Sequence, residues 1–327
     1  MNYINPDKVK IREALDKHKI GLLDILKKRV SNCKNESVRN YLTKEKLTAL
    51  LVSRPNELVQ LNNDFYESIN NSSLDGYYLF KENAHIKHAD LSTFQQKRNR
   101  TKYNAINNVI RKIFNYENSF SKKHEDLKVY RAYKLAENLN IDTCIYCNRL
   151  YTKTVSNPKK ITRPEFDHWF PKSRYPLLAL SFFNLIPSCH VCNSSVKGNT
   201  DFAISDFVHP YLDKKIGIKY SYENTKYNTY RFKINHSSLK EETTVKAFKL
   251  KEIYETHEDE IKELLKIRKV YSNDYLKKLA TLFDGLAISE EEIYRLAFGT
   301  YLDEDNFEKR PLSRMKRDIL REIGIIK

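Results

Sequence analysis

Four cysteines set the terms for the chemistry of this chain. Cys144 and Cys147 form one CxxC pair and Cys189 and Cys192 another, with 41 residues between the two pairs. Thiolates at i and i+3 on a tight turn converge on one ion. Two such turns complete tetrahedral zinc coordination, with bonds of about 2.3 Å. Four sulfurs leave no open position, so the pattern predicts a structural zinc ion. His190, inside the second pair, is surplus to that ligand set and is expected at the surface or against nucleic acid. Cys33, the remaining cysteine, is expected as a small buried apolar residue. This usage fits metal ligation in a reducing compartment better than disulfide bonding. The gap between the pairs is long for a simple zinc ribbon, so the ion must tie together the two ends of a separate substructure.

That substructure holds Asp167-His168, Asn184 and, just past the last cysteine, Asn193. Phosphodiester cleavage needs an in-line nucleophile, charge stabilisation on the phosphate and help for the departing oxygen. His168, neutral near physiological pH, suits removal of a proton from water. Asp167 and the amide oxygen of Asn193 are hard donors suited to Mg²⁺ or Mn²⁺. Asn184 is expected to stand behind the reacting groups, orienting the loop that carries His168. Lys172, Arg174 and Lys197 are the nearest cations for phosphate contact, with Arg163 a weaker one. Trp169 is expected in the core and His209 in packing.

Local patterning places these residues on a small set of elements. Residues 166–168 close a short strand, 184–187 form a second, and a helix begins at Cys192-Asn193 with Lys197 about one turn on. In that setting Asp167-His168, Pro171-Lys172-Ser173, Asn184-Leu185 and Cys189 to Cys192 followed by Asn193 resemble the pattern of HNH endonucleases. The likeness covers residues 144–198. It departs in having Asn193 where many members have His, a common variant, and in Lys197 standing one residue late. The resemblance implies a zinc-stabilised ββα-metal nuclease core, His168 as general base, a Mg²⁺ or Mn²⁺ ion held by Asp167 and Asn193, and double-stranded DNA as substrate. The texture of the flanks is also similar to stand-alone bacterial HNH proteins, including anti-phage effectors of the Septu type, which implies an ATPase partner. No GxxxxGK[ST] loop occurs in the chain itself. An RNA-cleaving HNH nuclease and a zinc-dependent nucleic-acid-binding module without catalysis remain the competing readings.

The elements that must position this segment are mostly helical, since only 7 Gly and 9 Pro interrupt 327 residues. Helices are expected over 6–31, 44–53 and 55–70, the last with Pro55 in its first turn. Two basic helices are expected over 93–116 and 122–138. Beyond Pro210, alternation predicts strands at 215–222 and 227–235 with a turn at Glu223-Asn224-Thr225. Residues 245–250 read as a third strand or the start of the next helix. Helices are expected over 251–283, 290–298 and 313–323. The fold class is therefore α+β: a helical region at 1–140, the nuclease core with its four-cysteine zinc site at 141–212, and a small β-hairpin with helices at 213–327.

Charge points to a polyanion. Lys and Arg number 58 against 42 acids, a net of +16, with a pI near 9.4. Residues 91–134 carry eleven basic side chains and three acidic ones, a net of +8. Such clusters displace counterions from phosphates, so Lys97, Arg100 and Lys102 are expected to contact nucleic acid. No apolar run reaches the roughly 18 residues of a membrane helix. The first residues lack the layout of a signal peptide. No membrane partner and a cytoplasmic location are expected.

Overall fold

The computed structural model describes residues 1–70, 73–84, 86–122, 129–156, 161–270 and 289–326. The N-terminal part is a stack of helices around one long one, α1 (Val9–Ser31). Its buried residues, Ile11, Ala14, His18, Leu22, Leu26 and Val30, recur every three or four positions, so one stripe faces inward. After α2 (Glu36–Tyr41), α3 (Lys44–Val52) packs on that stripe. α4 (Pro55–Ser68) starts with Pro55 in its first turn, and α5 (Asp75–Glu82) leads to α6 (Phe94–Ile113). Thr93 caps α6, accepting from the Gln96 N–H at 3.1 Å while Gln96 reaches back to the Thr93 N–H at 3.1 Å.

The second basic helix is shorter than its charge pattern suggests. α6 ends at Ile113, a wide helical turn covers Tyr116–Ser121, and α7 spans only Ala132–Leu139. Positions 123–128 of the expected helix lie outside the described residues. α7 lies against α1, where close approach has one visible requirement. A Cβ on Gly21 would stand 2.3 Å from the Tyr130 ring, so only glycine fits there.

The middle of the chain is an antiparallel pair, β1 (Glu165–His168) with β2 (Leu185–Ser188), in register Asp167↔Ile186 and His168↔Leu185. A wide helical turn, Val191–Lys197, follows directly. The C-terminal part opens with the hairpin β3 (Lys219–Lys226) and β4 (Thr229–Asn235). Its turn is displaced from the expected Glu223-Asn224-Thr225. Glu223 and Asn224 pair with Arg231 and Tyr230, and the chain reverses at Tyr227-Asn228, where Asn228 takes φ 55°. Asn tolerates the left-handed region, and Asn224 has no such duty.

Residues 245–250 form no strand. α8 (Leu239–Ala247) is capped by Ser238, and Lys249 at φ 48° separates it from α9 (Leu250–Glu255). The expected helix over 251–283 is broken before α10 (Glu258–Val270), and its remainder from 271 lies outside the described residues. α11 (Glu290–Phe298) and α12 (Ser313–Glu322) complete the fold. One contiguous apolar cluster runs from Met1 to Ile326 and includes all four CxxC cysteines. Among the described residues, no helix is long and apolar enough to cross a membrane.

Candidate active site

Two backbone turns shape the cysteine cluster. In the first, the Asn148 N–H donates to the Cys144 carbonyl at 2.8 Å, with Asn148 at φ 51°. In the second, the Asn193 N–H donates to the Cys189 carbonyl at 3.0 Å. The four sulfurs lie within 4.8 Å of one another and all four cysteines are buried. Cys147 Sγ and Cys189 Sγ are 4.0 Å apart. A zinc tetrahedron with bonds of about 2.3 Å has edges of about 3.8 Å, so the cage is the right size. Backbone N–H groups of Arg149 and Cys192 point at Cys147 and Cys189 sulfurs, each at 3.5 Å, as donors to thiolates do. Burial, followed by the neighbouring Cys147 and Cys189 thiols, pushes the Cys144 thiol well up, and a divalent cation is what would hold it deprotonated in this buried cluster. The cluster is compatible with a structural zinc ion. His190 is exposed and stays outside the cage, its Nδ1 2.8 Å from Glu165 Oε1.

The first CxxC turn also reaches into the neighbouring site. Tyr146, between Cys144 and Cys147, donates its hydroxyl to Asp167 Oδ2 at 2.5 Å. Asp167 Oδ1 accepts from Lys197 Nζ at 3.2 Å, and Lys197 also donates to the His168 carbonyl at 2.8 Å. Burial pushes the Asp167 carboxyl above its ordinary range despite Lys197 and Tyr146 pulling it down. Lys197 is itself fully buried, with its side chain at 0% exposure. That corrects the expectation of a surface phosphate contact: Lys197 braces Asp167 from behind.

His168 lies on the other side of β1. Its Nε2 is 3.0 Å from the Ala179 carbonyl. Only an N–H can face that oxygen, so the proton sits on Nε2 and Nδ1 is left as an acceptor. Burial, followed by the charge of Lys172, lowers its pKa to about 3, so the ring is neutral at any physiological pH. The Tyr116 ring packs on it edge to face at 4.4 Å. Asn184 is fully buried. It accepts from the Phe170 N–H at 2.7 Å and donates to the Phe170 and Leu178 carbonyls at 3.2 and 2.9 Å. Those three bonds fix the loop between β1 and Ala179.

Asn193 is held by a residue that no sequence motif singled out. Its Nδ2 donates to Glu165 Oε2 at 2.7 Å, which leaves Oδ1 as the available acceptor. Partial burial pushes the Glu165 carboxyl up, but the Asn193 amide and His190 outweigh it and hold the carboxyl below its usual value. Glu165 stands two positions before Asp167, and side chains on a strand repeat every two residues, so the signal was there to use. Tyr146 had a weaker signal, its place between the two cysteines of the first CxxC pair. Tyr116 had none, being brought in by tertiary packing.

Glu165, Asp167, His168, Lys172 and Asn193 line one cleft of about 360 Å³, together with Tyr116 and Arg163. Lys172 sits 3.2 Å from Glu117, and Arg174 3.4 Å from Asp201. Arg163 donates to Ser121 and lies over the Tyr133 and Phe166 rings. Lys97 and Lys102 are exposed on α6, whereas Arg100 is half-buried over the Phe80 ring and bonded to the Asn83 carbonyl. None of these three lines the cleft. Trp169 is buried between Phe202 and His209, and burial lowers the His209 pKa to about 3.

No protein-family model matches the chain, and no solved structure matches it. It is similar to Protein ea31 of Escherichia phage lambda, at 31% identity over 104 residues. That stretch is 31% of this chain and 31% of the phage protein, so the match spans about a third of either length.

Proposed function

We propose that the chain is a metal-dependent endonuclease of the HNH type that hydrolyses DNA in the cytoplasm. The observation carrying this reading is the pairing at the cleft: a buried imidazole with Nε2 held by the Ala179 carbonyl and Nδ1 available, beside a set of oxygen donors, Glu165, Asp167 and Asn193. The donor set fits a hard divalent ion, being all carboxylate and amide oxygen. Asp167 and Asn193 Oδ1 would hold Mg²⁺ or Mn²⁺, whose charge would stabilise the phosphate in the transition state and the departing 3′ oxygen.

The chain's own residues account for the rest. His168 takes a proton from the attacking water at Nδ1, with its tautomer fixed by the Ala179 carbonyl. Asn184 keeps that carbonyl in place through the loop it braces. Glu165 orients the Asn193 amide so that oxygen, not nitrogen, is presented. Lys172, 41% exposed and lining the cleft, is a cation that would meet an incoming phosphate.

The test is incubation of supercoiled plasmid and of a structured RNA with purified protein, with Mn²⁺ alone and with EDTA. Nicking or linearisation of the plasmid that EDTA abolishes is expected. Cleavage of RNA alone would favour the RNA-directed alternative. Binding without cleavage of either would favour a zinc module without catalysis.

A further inference from the structure

The histidine at the heart of the cleft is gripped from two sides by segments of different origin. The Ala179 carbonyl lies 3.0 Å from Nε2, and the Tyr116 ring meets the imidazole at 4.4 Å with an interplanar angle of 79°. Ala179 belongs to the loop between the two central strands. Tyr116 arrives from the far end of α6 and opens the turn Tyr116–Ser121. It meets His168 through its ring.

Both cations on this wall of the cleft fasten the turn down. Arg163 Nη2 donates to the Ser121 carbonyl at 3.3 Å and to its hydroxyl at 3.0 Å. Lys172 Nζ sits 5.3 Å over the Tyr116 ring and 3.2 Å from Glu117. Arg111, in the last turn of α6, donates to the Ser173 carbonyl at 3.2 Å, tying the same helix to the loop after His168. A turn placed only to fill space would need none of these polar ties.

We infer that Tyr116 is a positioning residue for His168: its ring fixes the imidazole plane, with the Ala179 carbonyl fixing the tautomer, so that Nδ1 faces the cleft. This rests on the nuclease reading above. One end of an imidazole held by a single hydrogen bond still leaves rotation about that bond, and a ring packed edge to face with it at 4.4 Å opposes that rotation. Misplacing a catalytic group by about 1 Å can cost about 10²-fold in rate.

The experiment compares single-turnover plasmid cleavage by wild type, Tyr116→Phe and Tyr116→Leu, with zinc content as a check on folding. Tyr116→Phe, which keeps the ring, should cleave at the wild-type rate. Tyr116→Leu should lose about 10²-fold in rate constant at saturating enzyme, with the concentration for half-maximal rate unchanged. Histidine-labelled NMR supplies an arm independent of activity. The His168 ring protons should carry a ring-current shift that persists in Tyr116→Phe and vanishes in Tyr116→Leu. Wild-type cleavage by Tyr116→Leu overturns the inference, as does equal damage in both variants or an effect confined to binding. If wild type itself does not cleave, the nuclease reading fails, and the ring-current shift still reports whether the clamp exists.

Discussion

At the scale of single residues, the most informative contact is the ion pair between Lys197 and Asp167. Both side chains are essentially out of solvent, at 0% and 3% exposure. Removing one partner of a buried pair leaves an uncompensated charge or a carboxyl forced to protonate, a loss of about 3–5 kcal/mol. Lys197→Met should therefore destabilise the protein by about that amount in urea unfolding at pH 7.5. A loss below about 1 kcal/mol would mean that the pair carries little of the site's stability. Buried imidazoles give a second expectation. His18 donates from Nε2 to the Leu180 carbonyl at 2.7 Å, and burial lowers its pKa to about 4. A histidine held neutral when folded costs nothing above its unfolded pKa of about 6.5, because neither state binds the proton there. Below about 6.5 the unfolded chain takes up protons that the folded one refuses, and each such group costs about 1.4 kcal/mol per pH unit down to its folded pKa. The His18 contribution should be level above pH 7 and fall between about pH 6.5 and 4. Acid release of a metal ion held by the cysteine cluster would add to the fall in wild type and variant alike, so the comparison isolates the imidazole. His18→Gln should start less stable at pH 7.5 and decline less steeply; parallel curves would contradict the assignment.

At the scale of elements, α6 and the turn after it link the basic flank to the cleft. Lys97, Arg98 and Lys102 are exposed on α6, while Arg100 is committed to the Asn83 carbonyl. Replacing Lys97, Arg98 and Lys102 with Glu should weaken binding to a random duplex at all sequences and reduce the salt slope by about one for each phosphate no longer neutralised. An unchanged slope would place nucleic acid elsewhere on the molecule. The elements also separate what could be read in advance from what could not. Two CxxC pairs and the strand–loop–strand order around Asp167 were legible because local spacing specifies both, whereas the helix expected from Cys192 is only the wide turn Val191–Lys197. The hairpin turn fell three residues late because cross-strand pairing of Glu223 and Asn224 extended β3, which no short-range signal encodes. The helix over 251–283 broke at residues 256–257 although its apolar stripe ran on, as periodicity does not register an interruption that tertiary packing imposes. Lys197 looked like a surface cation for the same reason, its burial being decided by Asp167 and the His168 carbonyl.

At the scale of the whole molecule, the cysteine cluster sits where all three stretches of chain meet. Asn148, just after Cys147, bonds through its side chain to the Phe307 and Arg310 carbonyls at 2.8 and 3.2 Å, and Tyr254 donates to the Cys147 carbonyl at 2.5 Å. Structural zinc binding is folding energy, so losing the ion should loosen far more than one loop. The folded protein should carry about one zinc per chain. Cys192→Ser, or stripping by a strong chelator, should lower the thermal midpoint and solubility and release the C-terminal helices to proteolysis. A chelated protein with an unchanged midpoint would contradict this role.

The proposed mechanism stands on His168 removing the proton from the attacking water while the rest of the structure holds it in place. The direct measurement is metal-activated plasmid cleavage by His168→Ala beside wild type, in preparations matched for zinc content and for affinity to the same duplex. A loss of about 10²–10⁴-fold in rate is expected, the usual cost of removing a general base, with zinc and affinity unchanged. Cleavage by His168→Ala at the wild-type rate, sensitive to the same chelator, would contradict it.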